Sequence, residues 1–125
     1  MKIREAISLV DKLKPNHYDA DVKVQWLSKL DGQIFIELIS QHEREESTPE
    51  VFEAYTEADF DKELLVPVPY DEGVYANYLM AQIDRVNGED ERYNQSIALY
   101  GAAYSRYQAW YRREHMPLSR GRFIF

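Results

Sequence analysis

The strongest constraint on how this chain folds is the run from Tyr93 to Tyr111, in which Tyr93, Ile97, Tyr100, Tyr104, Tyr107 and Tyr111 recur at steps of four and three. That spacing draws one continuous stripe along an α-helix. A stripe that is mostly tyrosine buries ring faces yet carries hydroxyls that need partners or water, so it suits a half-wet contact better than a dry core. Packing against a second and a third helix is its favoured use, with the hydroxyls at the margins. The helix is predicted from Glu89 or Asp90 to Arg113, about 35 Å at about 1.5 Å per residue. Leu99, Ala103 and Trp110 occupy an adjacent face, and Gly101, Ala102 and Ala103 are small enough to admit a neighbouring backbone.

Three more helices precede it. Ile3, Ala6, Ile7, Val10 and Leu13 line one face of a first helix that Pro15 and Asn16 terminate. A second begins near Asp19 or Asp21, either of which can cap free amides, and carries Val22, Trp26, Leu27, Leu30, Ile34, Leu38 and Ile39 to about His42. Gly32 inside it marks a bend or a close approach. The third opens at Tyr70-Asp71-Glu72 with Asp71 as the expected cap, and places Val74, Tyr75, Tyr78, Leu79, Ile83 and Val86 on its apolar side. Asn87-Gly88 then ends it in a turn so short that the third and fourth helices must lie antiparallel. Between the second and third helices, Glu43 to Glu63 is acidic and broken at Ser47-Thr48-Pro49, while Pro67 and Pro69 keep Leu64 to Val68 extended. A connection this long is expected to be a functional projection or to be ordered by a neighbouring subunit.

The expected fold is therefore all-α: a four-helix bundle-like domain over residues 1–117 with a C-terminal antiparallel hairpin, a long irregular acidic connection, and an extended tail over 118–125. A net charge of −7 disfavours bulk nucleic-acid binding, because a phosphate surface repels a protein of that sign. With no cysteine, disulfides, thiolate zinc sites and cysteine nucleophiles are excluded together. The charged start Met1-Lys2-Ile3-Arg4-Glu5 is not expected to be a signal peptide, and no run approaches the about 20 apolar residues of a membrane span.

No catalytic constellation stands out. His42-Glu43 with Glu46 lacks the second histidine of a zinc-protease helix. His17, His42 and His115 are read as packing or surface residues rather than ligands. Glu43, Glu46, Asp59 and Asp61 lie in or near the proline-broken segment, not on the facing helices that a magnesium-dependent nucleotide hydrolase requires, so a solvated acidic loop is the favoured reading. Neither cofactor nor metal is expected, and the chain is read as non-enzymatic.

The tail is the more informative segment. Arg112, Arg113, Arg120 and Arg122 make this end basic, and Phe123, Ile124 and Phe125 would be exposed on a monomer, which marks the group as a partner-binding candidate. Glu50, Glu53, Glu57, Asp59 and Asp61 are the complementary self-assembly candidates. Opposite patches on one molecule attract between copies, and such heterologous contacts close into rings.

The stretch from Glu63 to Pro117 resembles small structural proteins from the head-to-tail gene region of tailed phages and prophages of Gram-positive bacteria. The resemblance is carried by the LLVPVPYDE lead-in, the ID-x-x-NGE turn, the RYNQS start and the WYRREHMP exit. It covers a little under half the chain strongly and the N-terminal helices in outline. It implies a head-tail connector, or adaptor, that forms a ring of about a dozen copies below the portal and continues the DNA channel toward the stopper or tail-completion proteins. DNA would pass without specific binding, no membrane would be involved, and the protein would sit in the host cytoplasm before joining the virion. The basic end, Arg112 through Phe125, would contact the portal or the next ring. Gly73, in the first turn of the third helix, departs from the bulky residue expected there. The alternative is a small phage-encoded helical regulator that binds a host protein through the tyrosine stripe.

Overall fold

The computed structural model describes residues 1–43 and 51–117. Four α-helices form the domain: α1 (Ile3–Leu13), α2 (Ala20–Glu37), α3 (Asp71–Asn87) and α4 (Asp90–Glu114). No strand occurs among the described residues, which contain only isolated bridges. The all-α architecture agrees with the sequence expectation. Glu50, Arg120, Arg122, Phe123, Ile124 and Phe125, and with them the expected extended tail, lie outside the described residues.

The α3–α4 hairpin has the most extensive interface, and α1 packs on both α2 and α3. Gly88 makes the hairpin possible. Its φ of +74° is in the left-handed region that only glycine enters at no steric cost, and its N–H and that of Glu89 satisfy the last carbonyls of α3. At the other end of α3, a Cβ added to Gly73 would come within 3.3 Å of the Ala103 Cβ. The missing side chain is what lets α3 close on α4, which explains why no bulky residue stands in that turn.

Ile3, Val10, Leu27, Leu30, Ile34, Leu38, Leu79 and Ile83 build the core between the helices. Polar groups inside it are paired. Asp84, fully buried on α3, accepts from Lys14 Nζ at 2.5 Å and from the Ser96 hydroxyl at 3.0 Å, so one carboxylate ties α1, α3 and α4 together. Lys23, buried on α2, donates to Asp11 of α1 at 2.6 Å.

Two local expectations change. Tyr70, not Asp71, is the cap residue of α3; Asp71 is buried in the first turn, where it accepts the Glu72 N–H and faces the Met1 amino group at 3.2 Å. The described part of the acidic connection is held by its own chain rather than left to a neighbouring subunit. Phe60 and Lys62 carbonyls accept the Arg4 and Ile3 amides at the start of α1, and Leu64 N–H donates to the Met1 carbonyl. The free amides of a helix N-terminus need acceptors, and the connection supplies them. A short 3-10 helix, Glu57–Asp59, and another after α2, Ile39–Gln41, complete the chain. Phe52 lies against α2 where Gly32 leaves space, 3.3 Å from the position a Cβ would take.

Candidate functional site

The tyrosine stripe is divided along its length. Tyr107 and Tyr111 are buried, Tyr93, Ile97, Tyr100 and Tyr104 are half-buried, and Leu99 on the adjacent face is 59% exposed. The rings meet aromatic partners: Tyr100 lies 5.3 Å from Tyr78 of α3, while Tyr70 sits between Tyr107 and Trp110 at 6.1 and 5.6 Å. Burial pushes the hydroxyl pKa values of Tyr100 and Tyr107 upward, with neighbouring tyrosines adding to the shift. The Tyr104 hydroxyl is buried beside the Gln108 side chain without a well-formed hydrogen bond among the described residues.

A second polar centre was not anticipated. Asp31, fully buried on α2, accepts from the Tyr55 hydroxyl at 2.5 Å, the Tyr75 hydroxyl at 2.6 Å and the Leu65 N–H at 3.0 Å. Tyr75 also accepts the Val66 N–H at 2.8 Å. One carboxylate thereby fixes α3 and both ends of the 55–66 segment to α2. Burial raises its pKa to about 6 against the opposing effect of the three donors. The Tyr55 and Tyr75 hydroxyls are pushed well up by burial and by the facing carboxylate, so they remain donors. The sequence does carry a signal: Asp31 falls in register with Leu27, Ile34 and Leu38, a charged residue at a core position.

At the exit of α4, Arg112 and Arg113 are exposed in the last turn, at the negative end of the helix dipole. Beneath them, His115 stacks on Tyr111 at 3.9 Å, and buried His42 meets Tyr111 edge-on at 5.5 Å with Nδ1 2.7 Å from the Leu38 carbonyl oxygen. His42 and Pro117 form an antiparallel bridge, and Glu43 N–H donates to the Met116 carbonyl at 2.8 Å. His17 is exposed, apart from both.

The acidic candidates divide into two groups. Glu53 and Glu57 are exposed, and a hydrogen bond shared with Asp21, together with that residue's like charge, raises the Glu57 pKa. Asp59 instead caps its own 3-10 helix, accepting the Thr56 N–H at 2.7 Å, and Asp61 pairs with Arg4 at 2.7 Å; these partners hold both carboxyls below their usual range. No ion pair joins these acids to Arg112 or Arg113 among the described residues. Nor do the described residues include a group of three or more His, Asp or Glu placed to hold a metal ion, or a helix long and apolar enough to cross a membrane. Comparison with family models, curated proteins and solved structures returns no match.

Proposed function

We propose that this protein is a non-enzymatic virion component, a head-tail connector that assembles as a ring below the portal and joins capsid to tail. The observation that supports the reading is the resemblance of Glu63 to Pro117 to phage head-to-tail proteins, a stretch that contains the α3–α4 hairpin, the most extensive helix pairing of the described residues. Its lead-in supplies buried Leu64 and Val66, its NGE turn supplies the left-handed Gly88, and its exit supplies the exposed Arg112-Arg113 pair. Exposed Glu53 and Glu57 on another element, which pair with no cation among the described residues, offer charges of opposite sign for a heterologous contact between copies. The tyrosine stripe is largely committed to α3 and Tyr70, which favours the connector over a regulator that binds through those rings.

Genetic depletion in a host phage tests the reading. Loss of the protein should leave DNA-filled heads and free tails unjoined, and purified protein should restore joining, with a ring visible below the portal by electron microscopy. Normal joining without the protein would refute it.

A further inference from the structure

The tyrosine stripe occupies one side of α4, and the opposite side is turned to solvent. Ala103, Tyr107 and Tyr111 are buried toward the core, whereas Glu91, Ala98, Leu99, Ala102, Ala109 and Arg113 are exposed. At about 100° of rotation per residue, Glu91, Ala98, Ala109 and Arg113 all fall within about 40° of Ala102 around the helix, and from Glu91 to Arg113 this outer face is about 33 Å long. Leu99 stands at its margin beside Arg106, 59% exposed.

The charges at the two ends of the face are of opposite sign. Glu91 lies in the first turn of α4 and Arg113 in the last, and neither they nor Arg106 enter an ion pair among the described residues. Each end charge stands eleven residues from Ala102, a little over about three turns, so Ala102 is the midpoint in both position and direction. Turning a second copy by half a rotation about an axis through Ala102 sets Glu91 against its Arg113 and Arg113 against its Glu91. The face is thus complementary to itself in the antiparallel sense, while a parallel alignment in the same register would oppose like charges. The helix dipoles, reversed with respect to each other, favour the same orientation.

We propose that the outer face of α4 is the interface of an antiparallel, twofold dimer of this chain, closed by two Glu91–Arg113 pairs and centred on Ala102. The end charges set orientation and register, and burial of Leu99 and the alanines supplies the attraction between them. In this register Leu99 comes beside the aliphatic stem of Arg106 of the second copy, and the alanines let the two backbones approach. Arg112 points about 100° away from Arg113 and stays outside the face, available to another partner. Nothing in this pairing rests on the phage reading.

Charge reversal in the full chain tests it. Sedimentation equilibrium should show a reversible dimer, and Glu91→Arg or Arg113→Glu alone should weaken it at least about tenfold with an unchanged circular dichroism spectrum. A mixture of the two variants should associate again, because each heterodimer then carries opposite charges at both ends. Cross-linking tests the register without altering charge, in a chain that has no cysteine of its own. Ala102→Cys meets its counterpart across the axis, within the about 7 Å between Cα atoms that a disulfide spans, and should oxidise to a linked dimer. Gln95→Cys, on the same face but about 21 Å from its counterpart, should link at least about tenfold more slowly. A monomer at every concentration, a mixture that associates no better than either variant, or equal linking at both positions would overturn the proposal. Larger assemblies in which Ala102→Cys stays unlinked would overturn it as well.

Discussion

Asp31→Asn tests the buried hub through a pH dependence that no merely apolar core would show. The carboxylate is fully buried with a pKa raised from 3.8 to about 6, so the folded protein holds a proton more tightly than the unfolded chain does. The stability contributed by this group is therefore fully present below about pH 4 and is lost as pH rises through about 6. At about 1.4 kcal/mol per pH unit of separation, the loss is about 3 kcal/mol by neutral pH. Asparagine does not titrate, and it presents one acceptor oxygen to three donors, so the substitution should cost about 1–3 kcal/mol near pH 7. On acidification the wild-type protein recovers its about 3 kcal/mol and the variant does not, so the gap between them should widen to about 4–6 kcal/mol near pH 4. Urea unfolding followed by far-ultraviolet circular dichroism at several pH values measures that gap, and carboxylates remote from residue 31 cancel in the difference. A gap that stays constant, or narrows toward acid, would refute the account of Asp31 as a carboxylate strained by burial.

Other substitutions separate the parts of the fold. Tyr107→Ala removes a side chain that is 1% exposed and should lower stability by about 3–5 kcal/mol, whereas Tyr104→Phe deletes a hydroxyl without a well-formed partner and should be nearly neutral; equal losses in urea melts would contradict that division. Gly88→Ala, at φ +74°, should cost about 1 kcal/mol, while Gly101→Ala, with open space at its Cβ inside α4, should gain up to about 1 kcal/mol. Thermal shifts of the same sign for both would show that one of these environments is misassigned. Arg112→Gln with Arg113→Gln should change stability by less than about 1 kcal/mol yet abolish head-tail joining in complementation, and joining at the wild-type level would remove these residues from the proposed contact.

What was legible in the sequence was what local pattern determines. The alternation of four and three from Tyr93 to Tyr111 encodes α4, and Asn87-Gly88 encodes the hairpin, because a helix and its left-handed stop are set by neighbours within one or two turns. The connection was less legible because its order comes from residues nearly sixty positions away: the amides of Ile3 and Arg4 find their acceptors at Lys62 and Phe60. Asp71 looked like a cap because aspartate favours that position, but burial next to the Met1 amino group gave its carboxylate a different role. Among the candidate site residues, exposed Arg112 and Arg113 could be read from a basic helix end. The commitments of Asp59 to Thr56 and of Asp61 to Arg4 could not be read from composition, and Phe52 meets Phe35 only because the connection folds over α2.

The pairing of His42 with Pro117 bears on how the molecule would carry tension. A pull on the chain at residue 117 is not taken by the last turn of α4 alone. The Glu43–Met116 bond passes part of it to the end of α2, and the His115–Tyr111 stack resists peeling of the exit peptide from the helix it has just left. Load entering at this end is thus shared between two helices that are distant in the chain.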